Sequence, residues 1–281
     1  MAIVQNTAKR KLADGGIALG FGVHHLRTVA VPMIAAAADH DFLFIDMEHG
    51  AASVQESTQL CIAALPTGIP AIVRVCSGAL DEATRLLDNG ALGIVVPHVD
   101  TAKQAQRIAD AFHYPPAGTR SWGGPPPIYG YLPPHVAEAQ KAVNDEILTV
   151  VMIESPESVE NAGDIAAVDG IDVLLIGSFD LTSALGIAGQ MGHRKLIEAY
   201  EAVGKACAKH GKVLGMGGIN GDEDSERYIG MGSRLIITGS DHGYVVAGAM
   251  ARATFLRGLT VGSASAGKKI AGKKKAGKKK G

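Results

Sequence analysis

Aromatic side chains are scarce in this sequence, with six Phe, six Tyr and one Trp among 281 residues. Nearly half the chain is apolar all the same, with Gly, Ala, Val and Ile prominent. That mixture suits helices packed over short parallel strands better than a β-sandwich built on large rings. Cysteine is also rare. Cys61, Cys76 and Cys207 are odd in number and widely spaced, which argues against a disulfide framework and for reduced, buried thiols in a cytosolic protein. No apolar run approaches the roughly 18 residues of a membrane span. The opening MAIVQNTAKRK has no apolar stretch ending in a small-residue cleavage site, so nothing points to secretion and a cytoplasmic location is expected. A glycine-rich phosphate loop is missing too. After the first apolar run the chain reads FGVHHLRT, not G-x-G-x-x-G, which counts against a dinucleotide-binding open sheet.

The chain does contain a regular alternation of short apolar runs with amphipathic stretches. Eight strands are expected, at 16–23, 42–47, 71–75, 92–99, 148–154, 172–177, 212–218 and 234–240. Between them VQESTQLCIAAL, ALDEATRLLDNG, TAKQAQRIADAF, SVENAGDIAAV and HRKLIEAYEAVGKACAKHG repeat apolar residues at three- and four-residue spacing, as helices do. Several of these end at a glycine, such as Gly90 and Gly211, where a left-handed residue closes a helix. Eight such units with strands apolar on both faces imply an α/β fold, a single (β/α)8 TIM barrel, and the length fits a barrel of about 250 residues. The expected domain spans 1–262. Residues 263–281 form a Gly/Ala/Lys repeat holding eight lysines; without them 19 basic residues face 28 acidic ones. This segment cannot build a core and is expected to be disordered. It is either a solvated tail or a weak contact for a polyanion such as nucleic acid.

One connection departs from the rhythm. Residues 114–146 hold seven of the twelve prolines and Trp122. A connection of this length inside a compact domain is usually functional or disordered, and it is expected over the barrel's C-terminal mouth, where barrel enzymes keep their sites. Trp122, Tyr129 and Tyr131 would then form a wall selecting the substrate, with Arg120 available to an anion. The same mouth rule selects the polar residues at strand ends: Asp46-Met47-Glu48-His49, Arg74, Glu154, and Asp180 in GSFD. Glu154 and Asp180, 26 residues apart, can share a hard divalent cation through oxygen, or can simply cap helices. Arg74 within an apolar run needs a partner to offset desolvation. Asp46 can orient His49, which would tune a general base. His24 and His25 end the first strand without a chemical context and suit a structural role, and Asp88 most simply ends a helix.

Taken together, FLFIDMEHG, RVCSGALDEATRLLDNGALGIVVPHVDTAKQA, GTRSWGG, VMIESPESVENAGDIAAVDGIDVLLIGSFDLTSALG and RLIITGSDHGYVVAGA resemble the HpcH/HpaI aldolases, class II enzymes that use pyruvate and a barrel fold. The resemblance covers most of residues 15–257. It implies a divalent cofactor (Mg2+, Mn2+ or Co2+) on Glu154 and Asp180, and no organic cofactor. It implies His49 as catalytic histidine paired with Asp46, Asp88 supporting that network, and Arg74 beside the substrate's oxo group. Backbone N–H groups of Ser178, Phe179 and Asp180 would hold the 2-oxo acid's carboxylate. Met152 stands where the family commonly has Gln, and Trp122 falls in a loop that departs from the family's pattern. Both positions bear on substrate choice.

The reaction so implied makes or breaks a carbon–carbon bond between a 2-oxo acid, pyruvate or similar, and an aldehyde. The cation acts as Lewis acid, Arg74 stabilises the enolate and His49 moves the proton. The partners implied are these small molecules and further copies of the chain, a hexamer by resemblance, with no membrane. A malyl-CoA or citramalyl-CoA lyase on a related barrel is the nearest alternative. A polyanion-binding protein acting through its lysine tail is the alternative of another class.

Overall fold

The computed structural model describes residues 2–261. Helix α1 (Thr7–Ala13) precedes an eight-fold repeat: β1 (Ala18–Val23), α2 (Val31–Ala37), β2 (Phe42–Asp46), α3 (Val54–Ala64), β3 (Ala71–Arg74), α4 (Leu80–Asp88), β4 (Gly93–Val96), α5 (Ala102–Phe112), α6 (Val136–Glu146), β5 (Leu148–Ile153), α7 (Pro156–Glu160), α8 (Ala162–Ala166), β6 (Val173–Gly177), α9 (Ser178–Ala184), α10 (Arg194–His210), β7 (Val213–Gly217), α11 (Asp222–Gly230), β8 (Ser233–Ser240) and α12 (Asp241–Arg257). The strands are parallel and close in sequence order, with β8 pairing back onto β1. The (β/α)8 barrel expected from the apolar rhythm is therefore the fold.

The closed sheet divides the apolar side chains into two cores. Phe42, Phe44, Ile72, Val95, Leu148, Val150, Met152, Val173, Leu175 and Leu235 fill the barrel interior, and Ala8 and Leu12 of α1 pack with them. Leu43, Ile45, Val73, Ile94, Val151, Leu174 and Ile176 belong to the shell shared with the helices. Alternation along each strand fixes this division, since neighbouring residues face opposite sides of the sheet. Continuing the inward series places Asp46 after Phe42 and Phe44, Arg74 after Ile72, and Glu154 after Val150 and Met152. The polar residues are thus the last inward positions of strands that are otherwise apolar.

Capping sharpens the helix starts. Ser53 and Glu56 form a capping box on α3, as do Thr101 and Gln104 on α5. The helix expected over SVENAGDIAAV is two short ones, α7 and α8. They meet at Asn161, whose side-chain amide donates to the Asp100 carbonyl at 2.7 Å.

The 114–146 connection is not where the sequence suggested. Helix α5 already returns the chain from the C-terminal to the N-terminal end of the barrel, so the connection begins at the end opposite the mouth. The Val4 N–H donates to the Ile128 carbonyl, and Tyr114, Arg120, Ile128 and Tyr129 are buried. The last part of the connection is helix α6.

The described residues form two compact units, 2–244 and 245–261. The first unit contains the whole barrel. The described part of the second consists of α12 from Val245 and the residues to 261, and Val245, Val246, Met250, Phe255 and Leu256 are exposed there. The expected disordered lysine tail lies outside the described residues. Among the described residues no helix is long and apolar enough to cross a membrane.

The mouth is shaped by a close approach of β1 to β8. A Cβ on Gly22 would overlap the Gly239 carbonyl oxygen. Gly22→Ala must therefore displace backbone, and should lower unfolding free energy by about 1–3 kcal/mol, the usual cost of overpacking. Denaturant melts of the two proteins check this.

Candidate active site

The inward polar residues converge on a cavity of about 400 Å3 at the C-terminal mouth. Its wall includes His24, Phe44, His49, Arg74, Met152, Glu154, Ser178, Phe179, Asp180, Asn220, Ser240 and His242. At its base lies a buried ion pair. Arg74 donates from Nε to Asp46 Oδ1 at 2.9 Å and from Nη2 to Asp46 Oδ2 at 2.6 Å. The register makes this possible, because Asp46 and Arg74 are partners across β2 and β3. Arg74 Nη1 lies 3.2 Å from Glu48 Oε2, and its guanidinium stacks over Phe44. Burial alone would raise the Asp46 pKa. The Arg74 hydrogen bonds and charge, with the His49 N–H and the nearby His24, outweigh it and hold the carboxyl below its ordinary value. Burial likewise opposes the Arg74 charge, and Asp46, Glu48 and Glu154 more than restore it.

Glu154 is nearly inaccessible, and its neighbours are built around it. Gly177 on β6 leaves the room it occupies, since a Cβ there would sit 2.5 Å from Glu154 Oε1. Ser158 Oγ accepts from the Glu154 N–H at 3.1 Å, which ties strand end to helix start in IESPES. His98 adopts φ 55°, an uncommon conformation for a residue with a side chain, and so points its N–H at Glu154 Oε2, 2.9 Å away. The His98 ring bridges two acids, with Nδ1 3.2 Å from Glu154 and Nε2 3.5 Å from Glu48. Even so, burial first, and then the charges of Asp180 and Glu48, raise the Glu154 pKa against the His98 contacts. Asp180 is exposed in the first turn of α9.

The structure brings together His49, Arg74, Met152, Glu154, Ser178, Phe179 and Asp180, and sets Asp46 beneath Arg74. The Met152 sulfur stands 3.8 Å from Arg74 Nη1. Ser178 directs its hydroxyl to the Tyr200 hydroxyl at 2.9 Å, so only its backbone is left for a ligand. Three expectations fail within the single chain. Asp46 does not hold the His49 ring: it accepts the His49 backbone N–H at 3.2 Å, while the imidazole within ion-pair reach of its carboxylate is His24, at 3.5 Å. The His49 ring is largely exposed, 3.8 Å from Glu48. Asp88, the last residue of α4, is held by Arg120 at 2.7 Å and does not line the cavity. Trp122 packs on Tyr114, with ring centroids 5.4 Å apart, and does not line it either. Tyr129 is buried and Tyr131 is absent from the wall. For Asp88 and the aromatic residues the physical reason is shared: α4 and the 114–146 connection end or run at the far side of the barrel.

Glu48, His98, Asn220 and His242 are neighbours that the sequence reading left unassigned. The strand-end rule could have found His98, which follows Val96-Pro97, and His242, which follows Ser240-Asp241. A glutamate between Asp46 and His49 was visible, but its reach to Arg74 and His98 was not.

Comparison with known proteins agrees with this geometry. The HpcH/HpaI aldolase/citrate lyase family model matches residues 26–247. The chain belongs to that family. It is similar to a 4-hydroxy-4-methyl-2-oxoglutarate aldolase of Hapsidospora irregularis, at 35% identity over 89% of this chain and 94% of that protein. It is also similar to the 2-keto-3-deoxy-L-rhamnonate aldolase of Escherichia coli K12, at 28% identity over 85% and 89%. The crystal structure of an HpcH/HpaI aldolase from Desulfitobacterium hafniense DCB-2 matches with a TM-score of 0.85 at 28% identity, covering 92% of this chain and 98% of that one. The chain is accordingly an enzyme of the aldolase type, as its motifs implied.

The two shifted carboxylates affect stability in opposite ways. Asp46, with its folded pKa lowered, contributes stability above its unfolded value near 4, and this is lost as pH falls through the folded pKa. Glu154, with its folded pKa raised, favours folding only while protonated, so that contribution disappears as pH rises through its folded pKa. Asp46→Asn should therefore destabilise the protein at pH 7 by about 3–5 kcal/mol, the usual cost of breaking a buried pair, because Arg74 loses its two-bond carboxylate partner and keeps only Glu48 in contact. Glu154→Gln should instead melt higher than wild type in EDTA at pH 7. Thermal scans of both variants decide the signs.

Proposed function

We propose that the protein is a divalent-cation-dependent aldolase that forms or cleaves a hydroxy-2-oxo acid from pyruvate, or a similar 2-oxo acid, and a carbonyl acceptor. The observation that carries this reading is the convergence of Glu154 and Asp180 with the Asp46-anchored Arg74 in one cavity. Glu154, Asp180 and Glu48 crowd negative charge around a carboxyl already disfavoured by burial. Such an all-oxygen donor set suits a hard divalent cation, and Glu154 and Asp180 would hold it. When bound, the cation supplies Lewis-acid polarisation of the 2-oxo acid.

The protein's own residues account for the rest. Backbone N–H groups of Ser178, Phe179 and Asp180 open α9 without a side-chain cap, so they are free to receive the acid's carboxylate. Arg74, already fixed by Asp46, faces the 2-oxo oxygen and stabilises negative charge there without reorganising. In cleavage His49 takes the proton from the substrate's alcohol oxygen. The adjacent carbon–carbon bond breaks, its electron pair passes into the enolate beside Arg74, and the carbonyl product departs. A proton then returns to the enolate carbon to give the 2-oxo acid. Synthesis is the reverse. Among the described residues no lysine lines the cavity, so none of them offers a Schiff-base nucleophile there.

Similarity to the Hapsidospora irregularis enzyme makes 4-hydroxy-4-methyl-2-oxoglutarate the first substrate to test, which broadens the acceptor from an aldehyde to a ketone. The reading includes a homo-oligomer, supported by the apolar side chains exposed along α12. Sedimentation should give a mass well above the 29.0 kDa of one chain.

His49→Ala should lower turnover by about two to four orders of magnitude while cation binding by calorimetry persists. Glu154→Ala or Asp180→Ala should abolish both. Exchange of the pyruvate methyl protons with D2O reports enolate formation without an acceptor. Undiminished exchange by Glu154→Ala in EDTA would sink the proposal, and turnover of acyl-CoA substrates but not free hydroxy-oxo acids would move it to the lyase alternative.

A further inference from the structure

Cavity walls are seldom uniform in charge, and this one is divided. Its acids, Glu154 and Asp180, stand at β5 and β6. In a closed eight-stranded barrel β1 is opposite β5, and β8 is beside β1. On that far wall the polar side chains are His24, Ser240 and His242, with Asn220 next to them after β7, and no carboxylate lines it. Three imidazoles gather at its rim. The His24 and His242 rings are 5.3 Å apart, His25 and His242 5.1 Å, and His24 and His25 6.4 Å.

The local structure holds this cluster firmly. Asp241 is almost inaccessible, and its Oδ2 accepts the backbone N–H groups of His24, His25 and Leu26 at 3.1, 2.8 and 2.6 Å. Its Oδ1 accepts the His242 N–H at 2.7 Å and lies 3.4 Å from His242 Nδ1. One carboxylate thus locks the end of β1 to the start of α12, and backbone donors occupy it. Ser240 Oγ lies 3.3 Å from His242 Nε2. On the other side His24 Nε2 reaches Asp46 Oδ2 at 3.5 Å, which relates its ring to the Arg74 pair. Neither geometry is a metal centre: among the described residues no group of three or more His, Cys, Asp or Glu side chains could hold an ion.

We infer that His24 and His242, with Ser240 and Asn220, form the subsite that receives a carboxylate on the carbonyl acceptor, making the enzyme selective for an acceptor that is itself an acid. The inference rests on the aldolase reading and deepens it. A substrate whose 2-oxo acid end sits between Arg74 and the β5 and β6 carboxylates directs its other end at this wall. A carboxylate there meets hydrogen-bond donors, and the acids nearest these rings, Asp46 and Asp241, are already held by Arg74 and by backbone N–H groups. A neutral chain end offers these part-exposed and exposed donors no acceptor, and so forgoes a hydrogen bond to a charged group. Burial lowers the His24 pKa against the pull of Asp46 and Asp241, and an arriving anion counteracts that burial.

The test compares two retro-aldol substrates, 4-hydroxy-4-methyl-2-oxoglutarate and 4-hydroxy-4-methyl-2-oxopentanoate, which differ in the distal carboxylate. For each, kcat/KM is measured with the metal-loaded full chain as wild type, His24→Ala, His242→Ala and His242→Asn. Wild type should favour the dicarboxylate. Each Ala variant should reduce that preference by about tenfold or more, mainly through KM, as loss of a hydrogen bond to a charged group does. His242→Asn, which keeps a donor, should restore part of it. Proportional losses on both substrates, or an unchanged preference, would overturn the subsite. Pyruvate deuterium exchange by wild type is measured alongside. Its presence means such a result rejects the subsite alone, and its absence rejects the aldolase reading and the subsite with it.

Discussion

The Asp46–Arg74 pair is the interaction on which the rest of the site depends. Two charges at the top of an apolar barrel would each be costly alone, and the β2–β3 register puts them opposite one another so that both are satisfied. Several other groups at the mouth contact this pair. Glu48 and Met152 contact the guanidinium, the Asp46 carboxylate accepts the backbone N–H groups that turn the chain toward His49, and His24 faces it from β1. Arg74 is therefore rigid before any substrate arrives, the condition under which a fixed charge stabilises an enolate best.

Around that pair the barrel concentrates negative charge it does not neutralise. Glu154 is buried, short of counter-charge and close to two further acids. Folding tolerates it because the barrel interior and helical shell supply ample apolar burial elsewhere. The arrangement costs stability when Glu154 is ionised. The left-handed turn at His98 belongs to the same device, since it aims a backbone donor at Glu154 and lays an imidazole between Glu154 and Glu48.

The opposite wall is simpler in its chemistry. Asp241 consumes its hydrogen-bonding capacity on backbone amides and leaves imidazole, hydroxyl and amide groups facing the cavity. The cavity is thus acidic at β5 and β6 and lined by imidazole and hydroxyl groups at β1 and β8.

Read alone, the sequence determined the barrel, its eight strands and the strand-end positions of Asp46, Arg74 and Glu154. Period-two alternation and the parallel β/α rhythm are local properties that one chain displays directly. Glu154, Asp180 and Arg74 were legible as cavity residues for the same reason, being polar residues at or just after the ends of apolar runs. Tertiary structure alone decided which groups touch. Whether Asp46 addresses the His49 ring or the His24 ring depends on side-chain direction at a turn. The dissociation of Asp88 and Trp122 from the cavity follows from α4 and α5 having carried the chain to the barrel's other end. The histidine cluster joins residues more than 200 positions apart, which only closure of β8 onto β1 brings together. Spacing along a chain records the period of each element, but proximity across a closed sheet is set by the closure itself.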